Sequence, residues 1–197
     1  MKRHSGGEFM DFSKFQPLFD IIEKELPRRK RTVLAIDGAA ASGKTTLASF
    51  LAEKYGAEIV HMDDFFLPRK RKTEARLSEP DGNIDRERFI AEVLPFINSA
   101  EPFSYGRYDC SLGKVESNAL IGSSPLVIVE GVYSLSHYFR ENYDIKIMLT
   151  VEKETQLARL RERCEAWQYE NFLNIWLPLE ERYFSLCRIE NACDMVF

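Results

Sequence analysis

The residues best suited to chemistry form a glycine-rich run at positions 38–45. The run reads Gly-Ala-Ala-Ala-Ser-Gly-Lys-Thr and satisfies G-x-x-x-x-G-K-[ST] without a mismatch. Glycines let the backbone curl so that N–H groups point at phosphate oxygens, and a following helix adds its positive N-terminal end. Lys44 can reach the terminal phosphates and the Thr45 hydroxyl can bind Mg²⁺. The residues predicted to bind ATP are Gly38, Ala39, Ala40, Ala41, Ser42, Gly43, Lys44, Thr45 and Thr46.

Two adjacent carboxylates, Asp63 and Asp64, follow the next apolar run. A carboxylate there would face the γ-phosphate where a substrate hydroxyl must approach, so it could accept the hydroxyl proton, help hold Mg²⁺, or do both. Neighbouring side chains point in different directions, so we expect one of the two to do chemistry. The spacing leaves open which one. A solvated acidic turn is the alternative.

Glu130 ends a second apolar run, residues 126–130, and precedes Gly131. A buried strand that ends in a carboxylate at the ligand-binding edge of a sheet suits a metal-binding role. A structural acid paired with Lys or Arg is the alternative.

Arginines occur late in the chain at 159, 161 and 163. Arg159 and Arg163 are four residues apart on a predicted helix and therefore share a face. That face could close over a transferring phosphoryl group and stabilise its charge. Taken alone, an arginine-rich helix is more often a solvated face, for which Glu162 and Glu165 are available as partners.

The elements that must position these residues alternate between strand and helix patterns. Alternation predicts an α/β fold with a parallel sheet and helices on both faces, in which ligands bind beyond the carboxyl ends of the strands. The predicted helices cover residues 12–26, 44–55 (capped by Gly56), a segment opened by Asp85 as N-cap, 153–166 and 169–187 with a bend at Pro178; the predicted strands cover 32–37, 57–62, 126–130, 144–151 and 194–197.

Composition limits the class of protein. The chain has 197 residues, enough for one domain over residues 1–197, and 27 basic against 31 acidic side chains. A net charge of −4 gives no support for nucleic-acid binding, and we read the basic clusters at 28–31 and 69–72 as solvated edges or loops. Residues 1–12 do not form a secretory signal, no run could span a membrane, and the four cysteines are predicted to be free thiols. These features predict a cytoplasmic protein.

Together the motifs resemble the uridine kinase and phosphoribulokinase family of P-loop kinases. The matching pieces are GAAASGKTT, MDDFF, EPDGNID, YGRYD, VIVEGVYSL and RLRER, in the family's order over roughly residues 32–185. The resemblance implies a P-loop NTPase fold, a helical lid at about 153–170 and a requirement for Mg²⁺ and ATP.

The resemblance also implies roles for individual residues. Asp63 matches a base that helps hold magnesium, Thr45 and Glu130 match residues at the metal, and Arg159 and Arg163 resemble lid arginines. Asp81 resembles an aspartate that holds ribose hydroxyls, and Tyr108 matches an aromatic residue of the substrate pocket. In uridine kinases a histidine that reads the base follows the Tyr-Asp motif, whereas here Cys110 follows Asp109.

The sequence therefore predicts an ATP-dependent kinase of a small-molecule hydroxyl, with uridine or cytidine as the leading acceptor. Pantothenate, nicotinamide riboside, glycerate or a sugar phosphate are alternatives, as is GTP as donor. A regulatory P-loop NTPase is disfavoured because the chain has no N-K-x-D motif. A binding module without catalysis is disfavoured by the intact Lys44, Thr45, Asp63 and Glu130. No nucleic-acid or membrane partner is expected, and a homo-oligomer is allowed.

Overall fold

The structure, a computed structural model, describes residues 11–197. The prediction that residues 1–12 are not a secretory signal therefore falls mostly outside the described residues. The helices are α1 (Gln16–Glu25), α2 (Lys44–Tyr55), α3 (Glu74–Leu77), α4 (Arg86–Glu92), α5 (Leu94–Ile97), α6 (Lys153–Arg163), α7 (Ala166–Asn171) and α8 (Leu177–Cys187). The strands are β1 (Thr32–Gly38), β2 (Glu58–His61), β3 (Phe103–Asp109), β4 (Lys114–Ile121), β5 (Leu126–Glu130), β6 (Ile145–Leu149) and β7 (Met195–Val196).

A five-stranded parallel sheet organises the chain, in the order β2-β5-β1-β6-β7. Alternate residues of its central strand β1 enter two different cores: Leu34 and Ile36 pack with α1 and α2, whereas Val33 and Ala35 pack with α4, α8 and the β3–β4 pair. Covering both faces explains why β1 and β5 are buried along their whole length and mostly apolar. The predicted α/β fold, with a parallel sheet and helices on both faces, is confirmed.

An antiparallel hairpin of β3 and β4 lies outside the main sheet and was not predicted. Strand β4 is exposed over most of its length and carries Val115 and Leu120 at exposed positions, so the pattern of alternating buried apolar and exposed polar residues is weak there. Tertiary packing decides its place, because Phe103 and Tyr105 of β3 and Ile121 of β4 join the core beneath the sheet. The hairpin supplies one wall of the site described below.

The C-terminal helices differ in detail from the prediction. Helix α6 ends at Arg163 rather than 166, and the next helical stretch begins at Ala166 rather than 169. A π-helical segment, Phe172–Trp176, interrupts it before Pro178, which lies in the first turn of α8. Proline is tolerated in a first turn because its missing N–H is not needed there. The predicted bend at Pro178 is therefore replaced by the π-helical segment.

In the basic cluster at 28–31, Arg28, Arg29 and Lys30 are exposed, as the solvated interpretation predicts, but Arg31 departs from it. Arg31 is only 3% exposed and donates hydrogen bonds to the carbonyls of Ser124 and Gly122. A guanidinium has five donors, so carbonyl oxygens can satisfy it away from water.

The four cysteines all lie in the described range and are free, as predicted. None of the helices within residues 11–197 is long and apolar enough to cross a membrane.

Candidate functional site

A cleft of about 2120 Å³ opens at the carboxyl edge of the sheet. Strands β1, β2 and β5 end side by side there, since Glu130 pairs in register with both Ile36 and His61. Parallel strands bring their carboxyl ends to one edge, so the loops that follow them meet. Helices α6 to α8 and the β3–β4 hairpin close the sides.

The glycine-rich run turns sharply between β1 and α2. Gly38 has φ 139° and Gly43 has φ 99°, backbone conformations that favour glycine. A Cβ on Gly38 would also collide with the backbone carbonyl of Leu149. The turn places the N-terminus of α2 against the cleft, and every residue from Ala40 to Thr46 lines it.

Lys44 is 8% exposed and its Nζ donates to the carbonyls of Gly38 and Ala39, both at 2.8 Å. Burial lowers the pKa of Lys44, while Glu180, Asp37 and other nearby carboxylates oppose that effect. Gly38 and Ala39 thus hold this lysine with their backbones. The buried Ser42 Oγ has no hydrogen-bond partner among the described residues, and a phosphate oxygen would supply one.

Glu130 lies between Thr45 and His61. The Thr45 hydroxyl is 3.3 Å from Oε2 of Glu130, and His61 Nδ1 is 2.6 Å from Oε1. The hydrogen bond with Glu130 raises the pKa of His61, partly offset by burial. The His61 contact was not anticipated from the sequence, although a histidine one residue before the Met-Asp-Asp run on the neighbouring strand is the signal that could have indicated it.

The structure separates the two adjacent aspartates. Asp63 lines the cleft; the surrounding protein raises its pKa by burial, and Glu130 raises it further. Asp64 is buried and accepts hydrogen bonds from the Tyr105 hydroxyl at 3.1 Å and Arg107 Nε at 3.3 Å. Asp64 is therefore engaged in structure, whereas Asp63 is available to a ligand.

The donor set around Glu130 fits Mg²⁺. Thr45, Asp63 and Glu130 offer only oxygen atoms to the cleft, and Mg²⁺ prefers oxygen ligands. In the described part of the chain no group of three or more His, Cys, Asp or Glu side chains could hold a metal ion alone. Magnesium usually takes one or two carboxylates plus phosphate oxygens and water, so this arrangement is what it needs.

Arg159 and Arg163 also line the cleft, from helix α6. Arg159 Nη1 donates to the Ala41 carbonyl at 3.1 Å, and the Arg163 guanidinium lies 5.7 Å from the centroid of the Phe172 ring. Arg161, between them, stacks over Tyr169 and is outside the cleft lining. The helical spacing thus brings two of the three arginines to the site.

The two predicted acceptor-pocket residues have different positions. Tyr108 lines the cleft from β3. Asp81 is about 1% exposed, accepts a hydrogen bond from Ser136 Oγ and pairs with Arg86 at 3.2 Å. Asp81 does not line the cleft, whereas Asn83, two residues later, does. The structure does not bring Asp81 to the other predicted residues.

Sequence reasoning missed two buried carboxyl groups near the glycine-rich run 38–45, which we call the P-loop. Glu180 of α8 accepts from the Ala40 N–H at 2.8 Å, and burial raises its pKa to about 7. Asp37, fully buried, accepts from the N–H groups of Gly38 and Leu135 and from the Tyr183 hydroxyl, and burial raises its pKa to about 6. Glu180 has no local motif, because it reaches the P-loop from 140 residues away.

Comparisons with known proteins agree with this geometry. No protein-family model matches the chain. It is 24% identical over 176 residues to a uridine kinase from Anoxybacillus flavithermus, covering 80% of this chain and 82% of that protein. A possible uridine kinase from Bacillus stearothermophilus superimposes with TM-score 0.66 at 22% identity, covering 92% of this chain and all of that one.

A candidate fructose transport system kinase from Silicibacter superimposes with TM-score 0.63 at 27% identity, covering 92% of this chain and 97% of that one. Each of the three similarities covers four fifths or more of the chain. In sequence and fold the chain is therefore similar to uridine kinases and to other P-loop kinases.

Proposed function

We propose that the protein transfers the γ-phosphoryl group of ATP to a hydroxyl group of a small metabolite. The observation that carries the proposal is the position of Asp63: a carboxylate in the same cleft as the P-loop, with Lys44 and Glu130 within electrostatic reach of it. A hydroxyl held between Asp63 and the γ-phosphate would be correctly placed for in-line attack. Phosphoryl transfer depends mainly on such positioning and on charge stabilisation.

In the reaction, the acceptor oxygen forms a bond to the γ-phosphorus while the bond from that phosphorus to the bridging oxygen breaks. The hydroxyl proton moves to Asp63 and ADP leaves with the bond's electron pair. A raised pKa suits Asp63 as a proton acceptor, because a stronger base takes the proton more readily. The product is the phosphate ester of the acceptor.

Other residues of the chain bind and orient the phosphates. The backbone of the P-loop and Lys44 would hold the β- and γ-phosphates, and Arg159 and Arg163 would balance the charge on the transferring group. Mg²⁺, when bound by Thr45, Asp63 and Glu130, neutralises phosphate charge. Tyr108 is proposed to contact the acceptor. Asp81 would contact it only if the Ser136 and Arg86 partners released it.

The proposed chemical class of the acceptor rests on the similarity of the chain to a known kinase. The uridine kinase relative supports a nucleoside, with uridine or cytidine first. We also propose a cytoplasmic location, because ATP is abundant there.

The test is ADP release by purified protein with Mg-ATP and single acceptors: uridine, cytidine, adenosine, nicotinamide riboside, pantothenate, glycerate and ribulose 5-phosphate. Acceptor-dependent release supports the proposal. Release that no acceptor stimulates, from protein shown to bind ATP, contradicts it and favours a hydrolysing or binding role.

A further inference from the structure

Two basic side chains, Arg69 and Lys72, line the cleft from the loop that follows the Asp63 turn. Phe66, Asn83 and Tyr108 also line the cleft. Lys72 Nζ donates to Asn83 Oδ1 at 2.7 Å and lies 5.9 Å from the centroid of the Phe66 ring. Its ammonium group is therefore held in place against the cleft.

Neither cation is paired with a carboxylate among residues 11–197. The contrast with Arg71, on the same short turn, is direct: Arg71 pairs with Asp85 at 2.6 Å and Glu87 at 3.1 Å. A fully solvated lysine needs no partner, but Lys72 is half-buried. A positive charge that is partly removed from water and lacks a counter-ion is stabilised by an anionic ligand.

The two cations line the same cleft as the proposed base, Asp63, and so does Cys110 at the tip of the hairpin. Burial raises the pKa of the Cys110 thiol, with Asp63 adding to that effect and Lys72 and Arg69 opposing it, so all three groups are within electrostatic reach of this one cleft residue. Burial lowers the pKa of Lys72; Cys110 opposes that effect, and the positive charge of Arg69 adds to it, as expected for two neighbouring cations that have no carboxylate partner in the described part of the chain.

We propose that Arg69 and Lys72 form a subsite for an anionic group of the acceptor, so that the acceptor is a phosphorylated sugar or a hydroxy acid rather than a neutral nucleoside. The hydroxyl of such a molecule would lie at Asp63 and its phosphate or carboxylate at Arg69 and Lys72. This inference rests on the proposed kinase function and narrows its acceptor. It gives an anionic acceptor precedence over the uridine or cytidine that the similarity to a uridine kinase favours.

The test uses matched pairs of acceptors that differ in the anionic group: glycerate and glycerol, pantothenate and pantothenol, ribulose 5-phosphate and ribulose. Binding is measured by calorimetry in the presence of Mg²⁺ and a non-hydrolysable ATP analogue, and ADP release is measured separately. The variants are Arg69→Gln and Lys72→Gln. Lys70→Gln is the control, because Lys70 is exposed, adjacent and outside the cleft lining.

We expect at least one anionic member to bind more tightly than its neutral partner. Arg69→Gln and Lys72→Gln should each weaken that binding by about tenfold to a hundredfold, the usual effect of losing a charged hydrogen bond. KM should rise with little change in kcat, and Lys70→Gln should match the unchanged protein. Comparing carboxylate and phosphate pairs then identifies which anion the subsite prefers.

Three results would overturn the inference: neutral members that bind as tightly as anionic ones, binding that is insensitive to Arg69→Gln and Lys72→Gln, or no binding by any anionic member. If uridine or cytidine still stimulates ADP release, the kinase proposal stands and only the anionic subsite is lost. If no acceptor stimulates release, the kinase proposal itself fails. Thermal unfolding of each variant shows whether a loss comes from misfolding.

Discussion

Glu180 of α8 accepts a hydrogen bond from the backbone N–H of Ala40 in the P-loop at 2.8 Å. Gln156 of α6 donates to the carbonyl of the same residue at 3.0 Å. Two helices from the last quarter of the chain therefore hold the backbone of Ala40, one through its N–H and the other through its carbonyl. Movement of α6 or α8 is coupled through these bonds to the loop that would bind the phosphates.

The buried Glu180 carboxyl should make stability depend on pH. Its pKa is raised from 4.5 to about 7, so the folded state binds the proton more tightly than the unfolded state. The stabilisation is present below pH 4.5 and is lost as the pH rises through 7. Glu180→Gln removes this loss and can still accept from Ala40. Urea denaturation should therefore show that Glu180→Gln raises the free energy of unfolding, relative to the unchanged protein, by up to roughly 3 kcal/mol more at pH 8 than at pH 5.

Glu181→Gln is the matched control for that measurement, because Glu181 is an exposed neighbour paired with Lys153. Equal pH slopes in Glu180→Gln and the unchanged protein would show that Glu180 does not retain its proton on folding. Asp37 titrates in the same direction in both proteins, so it does not affect the comparison.

Asp63→Asn should reduce turnover by about a hundredfold to ten-thousandfold, because it removes the proposed proton acceptor. ATP affinity, measured by calorimetry, should change little. Asp64→Asn should instead lower the free energy of unfolding by about 1–3 kcal/mol through its contacts with Tyr105 and Arg107, with turnover largely kept. The opposite pattern would assign the base to Asp64.

Glu130→Gln should raise the Mg²⁺ concentration needed for half-maximal ADP release by about tenfold or more. The change leaves the shape of the side chain but removes the charge beside Thr45 and His61. Glu53→Gln, on the exposed side of α2, serves as control. Removal of Mg²⁺ by chelation should stop turnover. An unchanged Mg²⁺ dependence in Glu130→Gln would leave Glu130 as a structural partner of His61.

Arg159→Gln and Arg163→Gln should each lower kcat by about a hundredfold if they stabilise the transferring phosphoryl group. Arg161→Gln is the internal control, since it lies on the same helix but stacks on Tyr169 outside the cleft. Steady-state kinetics with a productive acceptor gives the comparison. Similar losses at all three positions would indicate a general effect on helix α6.

Local sequence was sufficient for the parallel sheet and the P-loop. Glycines at 38 and 43, an apolar run before them and a helical pattern after them are all contained within about twenty residues, and β5 is apolar because both its faces are covered. The acidic residues at the ends of β2 and β5 could likewise be placed at one edge, because parallel strands end together.

Tertiary structure alone decided the rest, because the deciding contacts join residues far apart in the chain. Asp63 and Asp64 look equivalent in sequence, and only the β3–β4 hairpin, through Tyr105 and Arg107, removes Asp64 from the cleft. Lys72 becomes part of the wall because a loop folds it against Asn83. Glu180 is an ordinary helical glutamate until packing buries it against the P-loop, where loss of water changes both its pKa and its role.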